Sequence, residues 1–108
     1  MKDGIINIGT SDAYALGFTS DKFTMDSYLW KKGDFIYVSF IESRSPGKGD
    51  FLRLVEKIHS LGLTVKIPTP LSRMDDICRK NGYQQSQEDA EDGDGELIEK
   101  VNVWSLKP

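Results

Sequence analysis

One cysteine and one histidine are all that this chain of 108 residues holds of the side chains most used for metal ligation and nucleophilic chemistry. Cys78 alone excludes an internal disulfide and any cysteine-based zinc cluster. His59 alone argues against a histidine-based metal site and against a Ser-His-Asp triad. No apolar run approaches the length of a membrane span, and Met1-Lys2-Asp3 does not open a secretory signal. A cytoplasmic protein without membrane contact is therefore expected. Excess positive charge is missing too: a formal net charge of −3 gives no basic surface for nucleic acid. Internal repeats and separate linkers are absent, and the length suits one domain over 1–108.

What is present reads as an ordinary globular chain, 38% hydrophobic and 29% charged. Residues 4–9 predict a short strand between glycines, and the segment 13–16 is ambiguous. From Phe18 to Ser43 the pattern predicts a hairpin. Phe23, Met25, Ser27 and Leu29 alternate with Thr24, Asp26, Tyr28 and Trp30 at the period of two expected of a strand. Lys31-Lys32-Gly33-Asp34 supplies turn chemistry. Residues 35–42 are apolar at alternate and intervening positions, which predicts a central strand covered on both sides.

A helix is predicted over 50–61, with Phe51, Leu54, Val55, Ile58 and Leu61 on one face and Arg53, Glu56, Lys57 and Ser60 on the other. Asp50 is placed to cap it, and Gly62 falls where a left-handed residue ends a helix. The strand 63–67 completes a βαβ unit whose two strands run parallel. Ser72 and Asp75 resemble a capping box for a second helix that ends at Asn81-Gly82 and turns Met74, Ile77 and Cys78 inward. Tyr83 to Gln87 and Leu97 to Leu106 predict a last hairpin around an acidic loop, 88–96. The expected class is α+β: a mixed, mostly antiparallel sheet with a helix on each face.

The stretch Arg44-Ser45-Pro46-Gly47-Lys48-Gly49 joins the central strand to the first long helix. The opening amides of a helix lack intrahelical acceptors and sit at the positive end of its dipole. Glycines let such amides approach an anion closely. Arg44 and Lys48 add full charge at the same edge.

In this place, Arg44-x-x-Gly47-x-Gly49 resembles the Arg/Gln-x-x-Gly-x-Gly/Ala turn of the GNAT superfamily of N-acetyltransferases. Ile77 to Tyr83 resembles that family's second segment, a helix ending in Gly-Phe or Gly-Tyr, and Val103-Trp104-Ser105-Leu106 its last strand. The similarity spans roughly residues 24–108 and is closest to very small members such as those of phage genomes. It implies acetyl-CoA as co-substrate and an amine of a protein or small molecule as acceptor. The pyrophosphate would lie on Gly47, Lys48 and Gly49, with Arg44 beside it. The pantetheine would pair like an extra strand where 35–42 splays from 63–67, passing Ile41 and Ser43. A main-chain N–H near Ile41 would hold the thioester carbonyl. Glu42 is the provisional base, or else an ion-pair partner of Arg44 or Lys48.

Four departures from the family pattern accompany the match. Cys78 stands at the usual position of the Tyr acid, with Tyr83 and Tyr37 as the substitutes to consider. Pro46 removes one amide from the turn. The Asp50 carboxylate competes for the helix amides. The N-terminal helices that shape the acceptor pocket are reduced or absent. An open acceptor side implies a macromolecular acceptor, a pocket completed by a second copy in a homodimer, or a binding or inhibitory module without transfer. Elsewhere, His59 reads as a helix-flank residue, Trp30 and Trp104 as core or interface, and the acidic loop as a solvated tip that could steer a basic acceptor.

Overall fold

The computed structural model describes residues 1–68, 72–91 and 97–108, with side chains described throughout these except at 72–73, 89–91 and 97–101. The expected Ser72 capping side chain and the acidic residues 92–96 lie outside the described set. Nine elements follow in order: β1 (Gly4–Asn7), α1 (Ser11–Ala15), β2 (Tyr28–Lys32), β3 (Phe35–Phe40), α2 (Asp50–Ser60), β4 (Thr64–Pro68), α3 (Ser72–Lys80), β5 (Gln84–Glu91) and β6 (Leu97–Leu106). They form a six-stranded sheet in the order β1-β2-β3-β4-β6-β5. The β3–β4 pair is parallel and every other pair antiparallel. The fold is α+β. No helix among the described residues is long and apolar enough to cross a membrane.

Both crossovers, β3-α2-β4 and β4-α3-β5, step along the sheet in the same direction. Right-handed connection then places α2 and α3 on one face, which corrects the expectation of a helix on each face. The side chains agree. Ile6, Leu29 and Val38 are cross-strand neighbours, as are Ile36 and Val65, and Ile67 and Trp104. All seven belong to one buried cluster with Phe51, Leu54, Val55 and Ile58 of α2 and Cys78 of α3. Trp104 Nε1 donates to Asp75 of α3 at 3.1 Å. α1 contributes Ala13 to the same cluster, followed by Leu16.

Among the described residues, no helix lies over the other face. One row runs across all six strands: Ile5, Trp30, Tyr37, Lys66, Ser105, Gln84. Ile5 is 54% exposed and Trp30 43%. The β5–β6 hairpin curls over part of this face. Glu88 reaches across β6 to Lys66 Nζ at 2.8 Å and accepts from the Tyr37 hydroxyl at 3.4 Å. Lys66 also lies over the Phe35 ring, 4.1 Å from its centre. A charged and aromatic cluster, rather than a second helix layer, therefore covers the outer side of the central strand. The hairpin also changes the acidic-loop reading, since residues 88–91 belong to β5.

Three local expectations change. The alternation from Phe23 to Trp30 is a strand only from Tyr28 onward; Thr24 to Ser27 is a turn closed by a Ser27 N–H to Thr24 carbonyl bond of 3.0 Å. Of the ambiguous 13–16 segment, residues 13–15 belong to α1 and Leu16 is its C-cap; the N-cap is Thr10. Leu61 is half exposed because it is the C-cap of α2 rather than part of its apolar face. Gly62, at φ 78°, ends α2 in a Schellman arrangement: Gly62 N–H to His59 carbonyl, and Leu63 N–H to Ile58 carbonyl.

Candidate functional site

The site begins with one extra residue. Leu29 faces Val38 but Tyr28 faces Phe40, so β3 carries Ser39 as a bulge against an uninterrupted β2. A bulge bends its strand and reverses which main-chain groups face each neighbour. The parallel pairing with β4 stops at the same place, after Tyr37 and Lys66. β4 continues as Ile67 and Pro68 beside β6, so β3 and β4 part.

Past the bulge the chain is held, among the described residues, from one side only. Glu42 N–H donates to Ser27 Oγ at 2.9 Å, and Glu42 carbonyl accepts from Thr24 N–H at 2.9 Å. Arg44 N–H donates to Lys22 carbonyl at 2.8 Å, around the bridge between Phe23 and Ser43. Main-chain groups alternate along extended chain, so those of Ile41 and Ser43 face the opposite way, into the gap. Ile41 N–H has no partner among the described residues.

The turn that follows leads into a bare helix start. Gly47 and Gly49 take φ of 85° and 81°, which only glycine adopts without strain. Gly49 is the N-cap of α2 and provides no side-chain cap. Its carbonyl accepts the first helical bond, from Arg53 N–H at 3.1 Å. The amides of Asp50, Phe51 and Leu52 are thus the helix's free donors. Asp50, expected to cap, is instead the first helical residue. Its carboxylate accepts from Arg53 Nη2 at 2.9 Å, and the same nitrogen donates to Lys48 carbonyl at 2.9 Å. This pairing offsets the repulsion that a carboxylate would exert on an incoming anion.

These pieces enclose a cavity of about 690 Å3 between the end of β3, the start of α2 and the inner side of α3. Phe23, Ile41, Phe51, Leu52, Met74 and Ile77 make its apolar wall. Of the expected site residues, Ile41, Glu42, Ser43, Gly47 and Gly49 line it. Glu42 pairs with neither Arg44 nor Lys48. Arg44 and Lys48 lie outside the lining: Arg44 Nε donates to Ser20 carbonyl and ties the turn to the N-terminal segment. Among the described residues the lining cation is Lys80 of α3, with Asp76 one helical turn before it.

Neither tyrosine considered as an acid reaches the cavity. Tyr37 lies on the opposite sheet face, its hydroxyl pushed upward in pKa by burial and then by Glu88. Tyr83 is buried, its hydroxyl without a partner among the described residues, and burial pushes its pKa upward. Cys78 is wholly buried; burial first, then Asp75, push its thiol up to about 12, which makes it a core residue. His59 Nε2 lies 2.9 Å from Leu106 carbonyl, a helix-flank role. Sequence reading missed Lys80 and Arg53. The first owes its place to α3 folding over the cavity; the second sits four residues after the N-cap, a spacing that brings a side chain back over the turn. No family model, curated protein or solved structure matches this chain.

Proposed function

We propose that this protein is a compact acetyltransferase of GNAT type that binds acetyl-CoA in this cavity and passes the acetyl group to an amine of a protein or small molecule. One observation carries the reading. A helix start without a side-chain cap and a strand edge without a partner among the described residues open onto the same cavity, at the distance set by one glycine turn. The first suits a diphosphate, through the amides after Gly49 and the neighbouring Lys48. The second suits the amide-bearing arm of the coenzyme, which can add to the β3 edge as a strand does. The fit with Arg44 is limited, because its guanidinium is engaged with Ser20; Lys80 is the better placed cation.

In this reading Ile41 N–H is the donor to the thioester carbonyl as negative charge develops on it. The Glu42 carboxylate, exposed and without an ion pair among the described residues, takes a proton from the incoming ammonium, directly or through water, which frees the amine lone pair to attack the carbonyl. No side chain in the lining, among the described residues, is a tyrosine or cysteine that could protonate the departing thiolate. That absence favours a second reading, in which the fold binds the coenzyme without transfer and acts as a binding or inhibitory module.

Thermal melting with CoA and acetyl-CoA, followed by release of free thiol in the presence of varied amines, separates the readings. A raised melting temperature with thiol release supports transfer. A raised melting temperature without release supports the binding module. No shift at millimolar ligand contradicts both.

A further inference from the structure

We propose that Ser27 is a positioning residue for the thioester carbonyl, acting through the main chain of Glu42; the inference rests on the acetyl-CoA reading above. Ser27 is the buried polar residue of the described core, 1% exposed. Its hydroxyl accepts Glu42 N–H at 2.9 Å and shares a hydrogen bond of 3.2 Å with Thr24 Oγ1. Thr24 N–H in turn holds Glu42 carbonyl at 2.9 Å. Both main-chain groups of Glu42 are therefore gripped by one four-residue turn.

The need for the hydroxyl follows from the bulge. After Ser39 the β3 chain is out of step with β2, and at Ser27 the β2 chain has already become a turn. No strand carbonyl is available to Glu42 N–H there, so a short side-chain oxygen stands in for one. Holding Glu42 N–H toward Ser27 obliges Ile41 N–H to face the cavity. Without that anchor a partly buried amide loses its acceptor, and residues 41–43 can rotate to find another. Ser27 touches no ligand itself. It fixes the direction of the donor that does, and it holds the Glu42 backbone beside it.

The test uses two ligands that differ only in the acyl carbonyl. CoA and acetyl-CoA are titrated into the unmodified chain, Ser27→Ala and Ser27→Thr. The unmodified chain and Ser27→Thr should bind acetyl-CoA roughly fivefold more tightly than CoA, the increment of about one hydrogen bond. Ser27→Ala should lose that preference while its CoA affinity stays within about twofold, a split that general loosening of the fold would not give. Equal affinities in the unmodified chain, retained preference in Ser27→Ala, or a parallel loss of both ligands would overturn the proposal. Absence of binding by the unmodified chain to either ligand would instead remove the coenzyme reading, and this proposal with it. Should Ser27→Ala not fold, amide resonances of the unmodified chain decide. Acetyl-CoA, and not CoA, should shift the Ile41 amide downfield while Glu42 N–H stays protected from exchange; an Ile41 amide that responds equally to both overturns the proposal.

Discussion

Two corners of this molecule are built on the same plan, a strand followed by glycine-bearing turn and helix, and they end differently. At the first, β1 passes through Gly9, at φ 95°, to Thr10 and α1. The Thr10 hydroxyl donates to Asn7 carbonyl at 2.8 Å and accepts from Ala13 N–H at 3.2 Å, so the corner is closed on itself. At the second, β3 passes through Gly47 and Gly49 to α2, and no side chain meets the helix amides. A chain able to cap a five-residue helix has left its eleven-residue helix bare. The two corners thus differ in one respect: helix amides stay unpaired by side chains only at the corner that opens on the cavity.

The most forceful way to break this comparison is Gly49→Val. A β-carbon there meets only Arg53, at 3.5 Å, so crowding is minor; the φ of 81° is what a branched residue resists. The cost is about 1–2 kcal/mol. The donors are also turned out of line, and the expected result is complete loss of the melting shift with acetyl-CoA. Next comes Thr10→Ala at the closed corner. It should lower stability by about 1 kcal/mol in denaturant unfolding and leave ligand binding unchanged, since that cap serves only folding.

Asp50→Asn probes the open corner more gently. The Asp50–Arg53 pair joins a largely buried carboxylate to an exposed guanidinium, so its loss should cost no more than about 0.5 kcal/mol. Calorimetry should show acetyl-CoA binding strengthened a few-fold, because one negative charge leaves the mouth of the anion site. Weakened binding would mean that Arg53 depends on Asp50 for its position. At neutral pH the smallest effect is that of Cys78. Its pKa is raised from 9.0 to about 12 on folding, so the unfolded chain loses the thiol proton first as pH rises. Stability should be indifferent to this group below pH 9 and decline through the interval from 9 to about 12. Thiol alkylation at pH 8 should accordingly label only unfolded chains. Rapid labelling of folded protein would mean that Cys78 is open to the cavity after all.

The second corner was readable in the sequence because its signals are local: an apolar run, two glycines, and apolar positions at spacings of three and four from Phe51 to Ile58. The parallel β3–β4 pair followed from the same stretch. What escaped reading depends on distant chain. The Phe23 to Trp30 alternation looks like one strand, and only the hydroxyls of Thr24 and Ser27 mark the turn within it. The placement of both long helices on one face required knowing that β6 inserts between β4 and β5. Glu88, whose neighbours in sequence read as an acidic loop, lies in β5 and meets Lys66 and Tyr37, partners 22 and 51 positions away. Lys80 reaches the cavity only because α3 packs across it. Asp50 was misassigned by one position, which sufficed to turn a cap into the partner of Arg53.

Whether the open corner takes a diphosphate-bearing ligand decides between an acetyl-CoA site and a bare turn. Isothermal titration of the unmodified chain with acetyl-CoA measures this without any variant. Saturable heat at one equivalent, weakening as salt is raised, is the expected result. A flat titration up to millimolar ligand would contradict it.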